Sequence, residues 1–548
     1  MSPVKYQADV VIVGGGLAGI VTALELLDGG KKVLILDRDT AANFGGLAKW
    51  AFGGMFFVNS RHQRRGGIKD SIDLALKDWF SYAAFDEKEY WGKKWAEQYV
   101  HLCTPHSYDW LRDRGIDFFP VVNWAERGLH EPGNSVPRFH MVWGTGWGLM
   151  ETLVKQLKNH PKADNLQLIF DHRVLEILQD NNQIKGVSGK MEGNGAPFTA
   201  LGEVVVVASG GINGSIERVK ANWFRAWGSP PEVILNGAHK YAVGDLHDAT
   251  KKINGQISNL DKQWNYAAGI RHYNPRKKDH GLSLVPCKSA LWMTYEGKRF
   301  GPVRLVTPYD TRYIVEQICR QPVKYSWQIL NYKIALKEFA ISGSEHNELV
   351  RDKKFIRFVL QTLLTGNRKL VDKIIDKCED VVVANSLDEL ADKMNALTGE
   401  NHVRLDYLKA DVAAYDAQID RGPALHNDDQ LRRIAHARQY RGDKARTCKF
   451  QKINDPGARP LIAIREFIVS RKSLGGIQTD LSSQVLSQAD ASGQQHPIPS
   501  LYAIGEAAGF GGGGLHGHRS LEGTFLGGCV ITARVAAQAI LGKKLENG

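Results

Sequence analysis

Six residues constrain this chain more than any others. Residues 14–19 (GGGLAG) follow directly on the β-branched run DVVIV at 9–13 and open a stretch of helix-forming composition at 18–27. In the spacing G-x-G-x-x-G at a strand-to-helix junction, Gly14 allows the tight turn and Gly16 lets a pyrophosphate approach the backbone. Gly19 lets the helix pack closely on the strand. The helix start at Leu17 and Ala18 then offers free N–H groups and partial positive charge to the phosphates. Gly29-Gly30 stops the helix, and VLIL at 33–36 reads as a second buried strand ending at Asp37 and Arg38. An acid about twenty residues past the glycines accepts from ribose hydroxyls and disfavours a 2′-phosphate, so NADP is not expected. Strand, turn, helix, strand and acid stand in register, which predicts a parallel βαβ unit and a dinucleotide site.

The chain has 548 residues, more than one core accommodates, so two or more units are expected. A hydrophobic content of 43% with 24% charged residues excludes a disordered or collagen-like chain. The net charge of +12 could serve anionic partners. The basic stretches at 61–65 and 432–446 carry no zinc-finger, RRM or KH signature, however, and nucleic acid is not expected. The six cysteines never form C-x-x-C, which argues against structural zinc, cysteine-ligated iron–sulfur clusters and c-type haem. Unpaired thiols suit a reducing compartment. Residues 10–27 are apolar but contain the glycine run and Glu25, and no other stretch would span a bilayer. A cytoplasmic protein without an integral membrane segment is expected.

Further strands are read at 166–177 and 184–187, around a turn at 180–183, and at 203–208 (EVVVVA), closed by Ser209-Gly210-Gly211. Residues 68–110 read as mainly helical. From 281 to 470 glycine thins and amphipathic helical stretches take over, as at 353–364 and 387–397. Glycine density returns at 475 and peaks in 505–528, beside a strand at 501–504. The two glycine-rich ends therefore form one nucleotide-binding domain (residues 1–280 and 471–548), interrupted by a second domain at 281–470. A second glycine cluster, 43–55 (NFGGLAKWAFGGM), interleaves aromatics with two Gly-Gly pairs, which lets backbone press against a large flat ligand.

On VVIVGGGLAG, LILD ending at Asp37, GGLAKWAFGG, VVVVASGG (204–211) and SLYAIGEAAG (500–509), the chain resembles the FAD-dependent fumarate reductase and succinate dehydrogenase flavoprotein superfamily. That superfamily includes 3-ketosteroid dehydrogenases. The resemblance implies an α/β fold: a Rossmann-like FAD-binding domain with a glutathione-reductase-like central sheet, interrupted by an α+β capping domain. It also implies an FAD-dependent dehydrogenase or reductase acting on CH–CH or enone-type bonds, with hydride passing between substrate and flavin N5. The implied cradle comprises Gly14, Gly16, Leu17, Ala18, Gly19, Asp37 and Arg38, then Gly45, Gly46, Leu47, Ala48, Trp50, Gly53 and Gly54. It continues with Val174, Ala208, Ser209 and Gly210, then Gly505, Glu506, Gly523, Thr524, Phe525 and Leu526. Residues 530–541 read as a helix whose N-terminus could stabilise the charge that develops on flavin reduction. No histidine lies within 43–55, although His62 is not far off, so the FAD is expected to be non-covalent.

On the substrate side, GKRF at 297–300, YDTR at 309–312 and QP at 321–322 resemble the landmarks around the superfamily's catalytic arginine, which makes Arg312 a candidate proton donor or anion clamp. SLGGI at 473–477 with Asp480 resembles a motif that fumarate reductases precede with a histidine; here Arg471 and Lys472 stand instead. In the return segment His516-Gly517-His518-Arg519-Ser520, Ser520 stands where fumarate reductases carry arginine, and Arg519 where ketosteroid dehydrogenases carry tyrosine. Both signatures are broken, so neither substrate is read from them. Tyr295, Tyr309 and Tyr313 are further candidate bases. The catalytic candidates are thus Arg312, Arg519, Tyr309, His516 and Lys472. If Arg312, Arg471, Lys472, His516, His518 and Arg519 converge, they form a cationic lining for an anionic or carbonyl-bearing small molecule. His516-x-His518 lacks a patterned third ligand, and no metal is expected. Two other readings compete, with the electron acceptor open in each. One is an electron-transfer subunit with a separate partner. The other is a flavoprotein monooxygenase, a class that normally carries Gly-Asp where this chain has Gly505-Glu506.

Overall fold

Short β-branched runs build the central sheet. The structure is a computed structural model in which residues 4–307 and 309–546 are described. Val10–Val13 pairs in parallel with Val33–Leu36 on one side and Val204–Val207 on the other. Leu166–Ile169 extends the sheet past Val33–Leu36, and Pro497–Ala503 extends it past Val204–Val207, again in parallel. Gln484–Leu486 closes that edge in antiparallel pairing. The C-terminal strand thus lies two places from the first fingerprint strand, and the two ends of the chain share one sheet.

Alternation sorts the side chains of these strands. Val10 and Ile12 join the large core beneath helices Leu17–Asp28 and Thr524–Ile540, whereas Val11 and Val13 face the opposite core with Val174, Ile177 and Phe198. Each such aliphatic side chain contributes about 1.5–3 kcal/mol when fully buried. A four-stranded sheet (Val4–Gln7, Pro197–Leu201, Gln183–Met191, His172–Asp180) supplies that opposite core. Its hairpin turns through Asn181 and Asn182, both at positive φ.

The part of the chain between the two ends of the central sheet, called the lid below, is built on an eight-stranded sheet whose spine is the 13-residue strand Leu461–Ser473. Ser326–Asn331, Gln263–Arg271, Ile234–Asn236 and Val381–Ala384 all pair with that strand. The change of texture at 281 therefore falls within the lid's sheet, because Ile234–Asn236 and Gln263–Arg271 keep the apolar composition of the part before them. The spine runs in the other direction to Arg471, Lys472 and Ser473, and so carries the lid down to the cradle. The last helix starts at Thr524, six residues before the expected 530, with Gly523 (φ 97°) as its N-cap. Gly527 and Gly528 do not break it. They make room for the Tyr99 hydroxyl and for Phe510, which an added Cβ would meet at 2.0 and 3.0 Å.

Candidate active site

A cavity of about 700 Å³ runs from the fingerprint to the underside of the lid. Each fingerprint glycine has a separate reason to be glycine. A Cβ on Gly14 (φ 114°) would lie 2.4 Å from the Ala208 carbonyl oxygen, and one on Gly19 would lie 2.0 Å from that of Gly14. A Cβ on Gly16 would meet no atom within 4 Å; it would point into the open cavity. Asp37 is held at the wall by the Gly15 N–H on Oδ2 and the Asp39 N–H on Oδ1, each at 2.7 Å. Burial raises its pKa from the ordinary carboxylate value, and the Asp39 and Gly15 amides oppose that shift. Beside it, the Arg38 guanidinium stacks 4.4 Å over Tyr241 and pairs with Asp245, which Arg173 clasps with two further hydrogen bonds.

The wall continues through Val174, Ala208, Ser209 and Gly210, then Gly46, Leu47, Ala48, Gly53 and Gly54. Gly505, Glu506, Gly523, Phe525 and Leu526 close the far side. Glu506 accepts from the Ser473 N–H at 3.0 Å, and burial pushes its carboxyl up to about 6. Four of the expected cradle residues stand behind the wall. Gly19 packs on Gly14, Gly45 donates to the Gly15 carbonyl, and Trp50 packs against Trp147 and the Arg276 guanidinium. The Thr524 hydroxyl bonds His516 Nε2.

An FAD fits these residues. Asp37 suits a ribose, the open Gly16 at a helix N-terminus suits a pyrophosphate, and Glu506 suits a polyol. The glycine-walled far end suits a flat ring beside the N-terminus of a 17-residue helix. His62 bonds the Tyr108 hydroxyl at 2.6 Å and packs on Phe118 and His140; it is not part of the cavity wall.

Of the five catalytic candidates, Lys472 lines the cavity. Burial draws its ammonium down to about 8, with Glu522 opposing that shift. Nζ sits 3.8 Å over the Phe525 ring and donates to the Tyr266 hydroxyl at 3.3 Å. The other four lie outside the wall. His516 is wholly buried between Trp79 and Phe525, and burial draws it down to about 3, which keeps it neutral. Arg312 stacks on Phe224 and Trp227, Arg519 lies 3.5 Å from Asp310, and the Tyr309 hydroxyl meets His436 Nδ1 at 3.1 Å. Thr311, which opens helix Thr311–Cys319 after the N-cap Asp310, lines the cavity; its neighbour Arg312 leaves on another face of the helix. Of the six expected cationic residues, Arg471 and Lys472 alone line the cavity, whereas Arg312 and His518 meet at the Phe224 ring outside its wall.

The end of the cavity beside Lys472 is instead acidic and phenolic. Glu522 Oε1 accepts from the Tyr266 hydroxyl at 2.6 Å and from Trp264 Nε1 at 2.8 Å. Burial, then Glu522, holds the Tyr266 phenol well above its ordinary pKa. Across the cavity wall, buried Glu126 (φ 55°) accepts from the Thr311 N–H at 2.8 Å and the Thr311 hydroxyl at 3.0 Å. Burial, reinforced by Glu522, raises its pKa well above the ordinary carboxylate value. Sequence reasoning missed Tyr266, Glu126 and Glu522. The available signal was Glu522 itself, an acid wedged between Leu521 and a helix-capping glycine. Around these groups stand Phe119, Phe139, Met141, Leu284, Ile341 and Phe358, an apolar enclosure.

Fold and site together define a flavoprotein oxidoreductase with a largely apolar chamber continuous with the dinucleotide cradle. The model of the FAD binding domain family matches residues 9–526, and the chain belongs to that family, within the fumarate reductase and ketosteroid dehydrogenase superfamily of FAD-dependent enzymes. A KsdD-like steroid dehydrogenase of Mycobacterium tuberculosis is 42% identical over 551 residues, covering 97% of this chain and 95% of the relative. One from Mycolicibacterium smegmatis is 41% identical over 540 residues, covering 95% and 96%. Among solved structures, the 3-ketosteroid Δ1-dehydrogenase of Sterolibacterium denitrificans, in complex with 1,4-androstadiene-3,17-dione, superposes with a TM-score of 0.68. It shares 15% identity, with 98% of this chain and 99% of that one covered. The open form of a flavocytochrome c3 fumarate reductase gives 0.66 at 19% identity, covering 99% and 79%. These two distant structures establish the shared fold. The protein is an FAD-dependent oxidoreductase.

Proposed function

We propose that the protein dehydrogenates a neutral, carbonyl-bearing polycyclic substrate of the 3-ketosteroid type, at a C–C bond adjacent to the carbonyl. The observation that carries this reading is the Tyr266–Glu522 pair facing an apolar chamber, with Lys472 on the phenolic oxygen. The names of the relatives at 42% and 41% identity point the same way.

The bound flavin supplies the hydride acceptor. The chain must take the accompanying proton. A phenol held well above its ordinary pKa is a poor free base, but it serves as a relay. The Tyr266 oxygen accepts the proton released from the substrate carbon while its own proton passes 2.6 Å to Glu522. The substrate thus loses one hydride and one proton, the phenol stays neutral, and the proton ends on Glu522. Run backwards, the same relay delivers a proton for reduction. Lys472 holds the phenolic oxygen in place through a charge-assisted hydrogen bond.

A dicarboxylate fits less well. Glu126 and Glu522 both line the chamber, and a dicarboxylate there would stand beside two acidic side chains. Incubation of the FAD-loaded protein with a 3-ketosteroid and an artificial electron acceptor tests the reading by mass spectrometry. The expected product is lighter by one H2. Unchanged steroid alongside turnover of a dicarboxylate would overturn it.

A further inference from the structure

We infer that helix Phe355–Leu360, with the turn Gln361–Thr365 that continues it, docks on an anionic phospholipid bilayer and seats the chamber's mouth against the lipid. The segment has two faces. Phe355 and Phe358 pack on Phe119, at ring separations of 6.2 and 5.6 Å, and Phe358, Val359 and Thr362 line the cavity itself. Ile356, Leu360 and Leu364 recur every fourth residue and point the other way, at 75%, 50% and 76% exposure. An apolar stripe this exposed is uncommon on a soluble surface, and this one lies on the outer side of the elements that wall the chamber.

Charge selects the occupant. Residues 348–369 carry six basic side chains against Glu348 and Asp352. Arg351 and Lys354 share Asp352, and Lys369 reaches Glu348. Lys353, Arg357 and Arg368 are exposed and have no ion pair among the described residues. An apolar stripe flanked by free cations is the pattern of a helix lying in the plane of a lipid interface. Among the described residues no helix is long and apolar enough to cross a membrane, so contact would be with one leaflet. The docking rests on exposure and charge. Its use, passing a lipophilic ketone from bilayer to chamber without a water step, rests on the steroid reading above.

The test uses the full-length, FAD-loaded protein and sedimentation with vesicles. One set is phosphatidylcholine alone; the other contains about one-third phosphatidylglycerol. The wild type should partition onto the anionic vesicles at least about tenfold more strongly than onto the neutral ones, and high salt should reverse this. Ile356→Glu/Leu360→Glu/Leu364→Glu should lose at least about tenfold in partitioning at unchanged flavin content and melting temperature. The charge variant Lys354→Glu/Arg357→Glu should lose the preference for the anionic set. Equal binding of the wild type and the apolar-stripe variant would overturn the inference. So would a wild type that ignores vesicles, including one whose stripe instead joins two copies into a dimer that the variant abolishes. Steroid oxidation in solution without vesicle binding would sink the docking and leave the proposed function standing; vesicle binding without steroid oxidation would do the reverse.

Discussion

The phenolic oxygen of Tyr266 lies 2.6 Å from Glu522 Oε1, between residues 256 positions apart in the chain. Tyr266 comes from the eight-stranded sheet and Glu522 from the loop that caps the last helix, so the pair joins the two sheets' parts of the fold. If this pair relays the proton, Tyr266→Phe should lower kcat by about 10²–10³-fold with FAD still bound. Glu522→Gln should lower it about 10–10²-fold with little change in KM. Steady-state kinetics on flavin-matched samples reads both; wild-type turnover in Tyr266→Phe removes the relay.

The fingerprint glycines should separate folding from cofactor binding. Gly16 has an ordinary backbone (φ −80°), and its missing Cβ faces open cavity, so Gly16→Ala should fold with an unchanged apoprotein melting temperature. Its methyl group would occupy phosphate space, and FAD affinity should fall at least about tenfold. Gly19→Ala would force a carbon to 2.0 Å from the Gly14 carbonyl oxygen and should cost about 1–3 kcal/mol of stability. Thermal melts and flavin titration of the two variants distinguish these outcomes.

Arg312 should matter to the lid more than to the chemistry. Its guanidinium stacks on Phe224 and Trp227 at 4.6 and 5.0 Å and does not line the cavity. Arg312→Ala should cost about 1 kcal/mol of stability through the lost stacking. Turnover should stay within about threefold of wild type, whereas a catalytic proton donor would lose 10²-fold or more. Melting and turnover measured on the same sample decide between the two roles.

Lys472 gives a pH signature in the apoprotein. Burial lowers its folded-state value from 10.5 to about 8, so between those values the unfolded chain holds a proton that the folded chain does not. Stability from this group therefore rises as pH increases from about 8 to about 10.5, and the full penalty is present below pH 8. Lys472→Met apoprotein should melt above wild type at pH 7, and the gap should close across that window. A gap constant from pH 7 to 10 would contradict the assignment.

What could be read from the chain before folding was local. The fingerprint, Asp37, Gly505-Glu506 and the glycines at 53–54 and 523 each carry their reason within a few residues. The proposed catalytic end is assembled from residues near 126, 266, 311, 472 and 522, and no motif spans those separations. Trp264 and Tyr266 reach the same carboxylate oxygen because they alternate onto one face of a strand whose register with Leu461–Ser473 shifts immediately after each of them. Arg312 shows the converse. Landmark spacing placed it within a residue of the site, but one residue on a helix is a 100° turn, and it was Thr311 that reached the wall.

The most direct measurement is anaerobic stopped-flow mixing of the FAD-loaded protein with a 3-ketosteroid, following loss of the yellow flavin absorbance. Rapid bleaching in wild type, slowed about 10²–10³-fold in Tyr266→Phe, is the predicted result. Bleaching at the same rate in both, or a flavin that 3-ketosteroids leave oxidised while another substrate class reduces it, would contradict it.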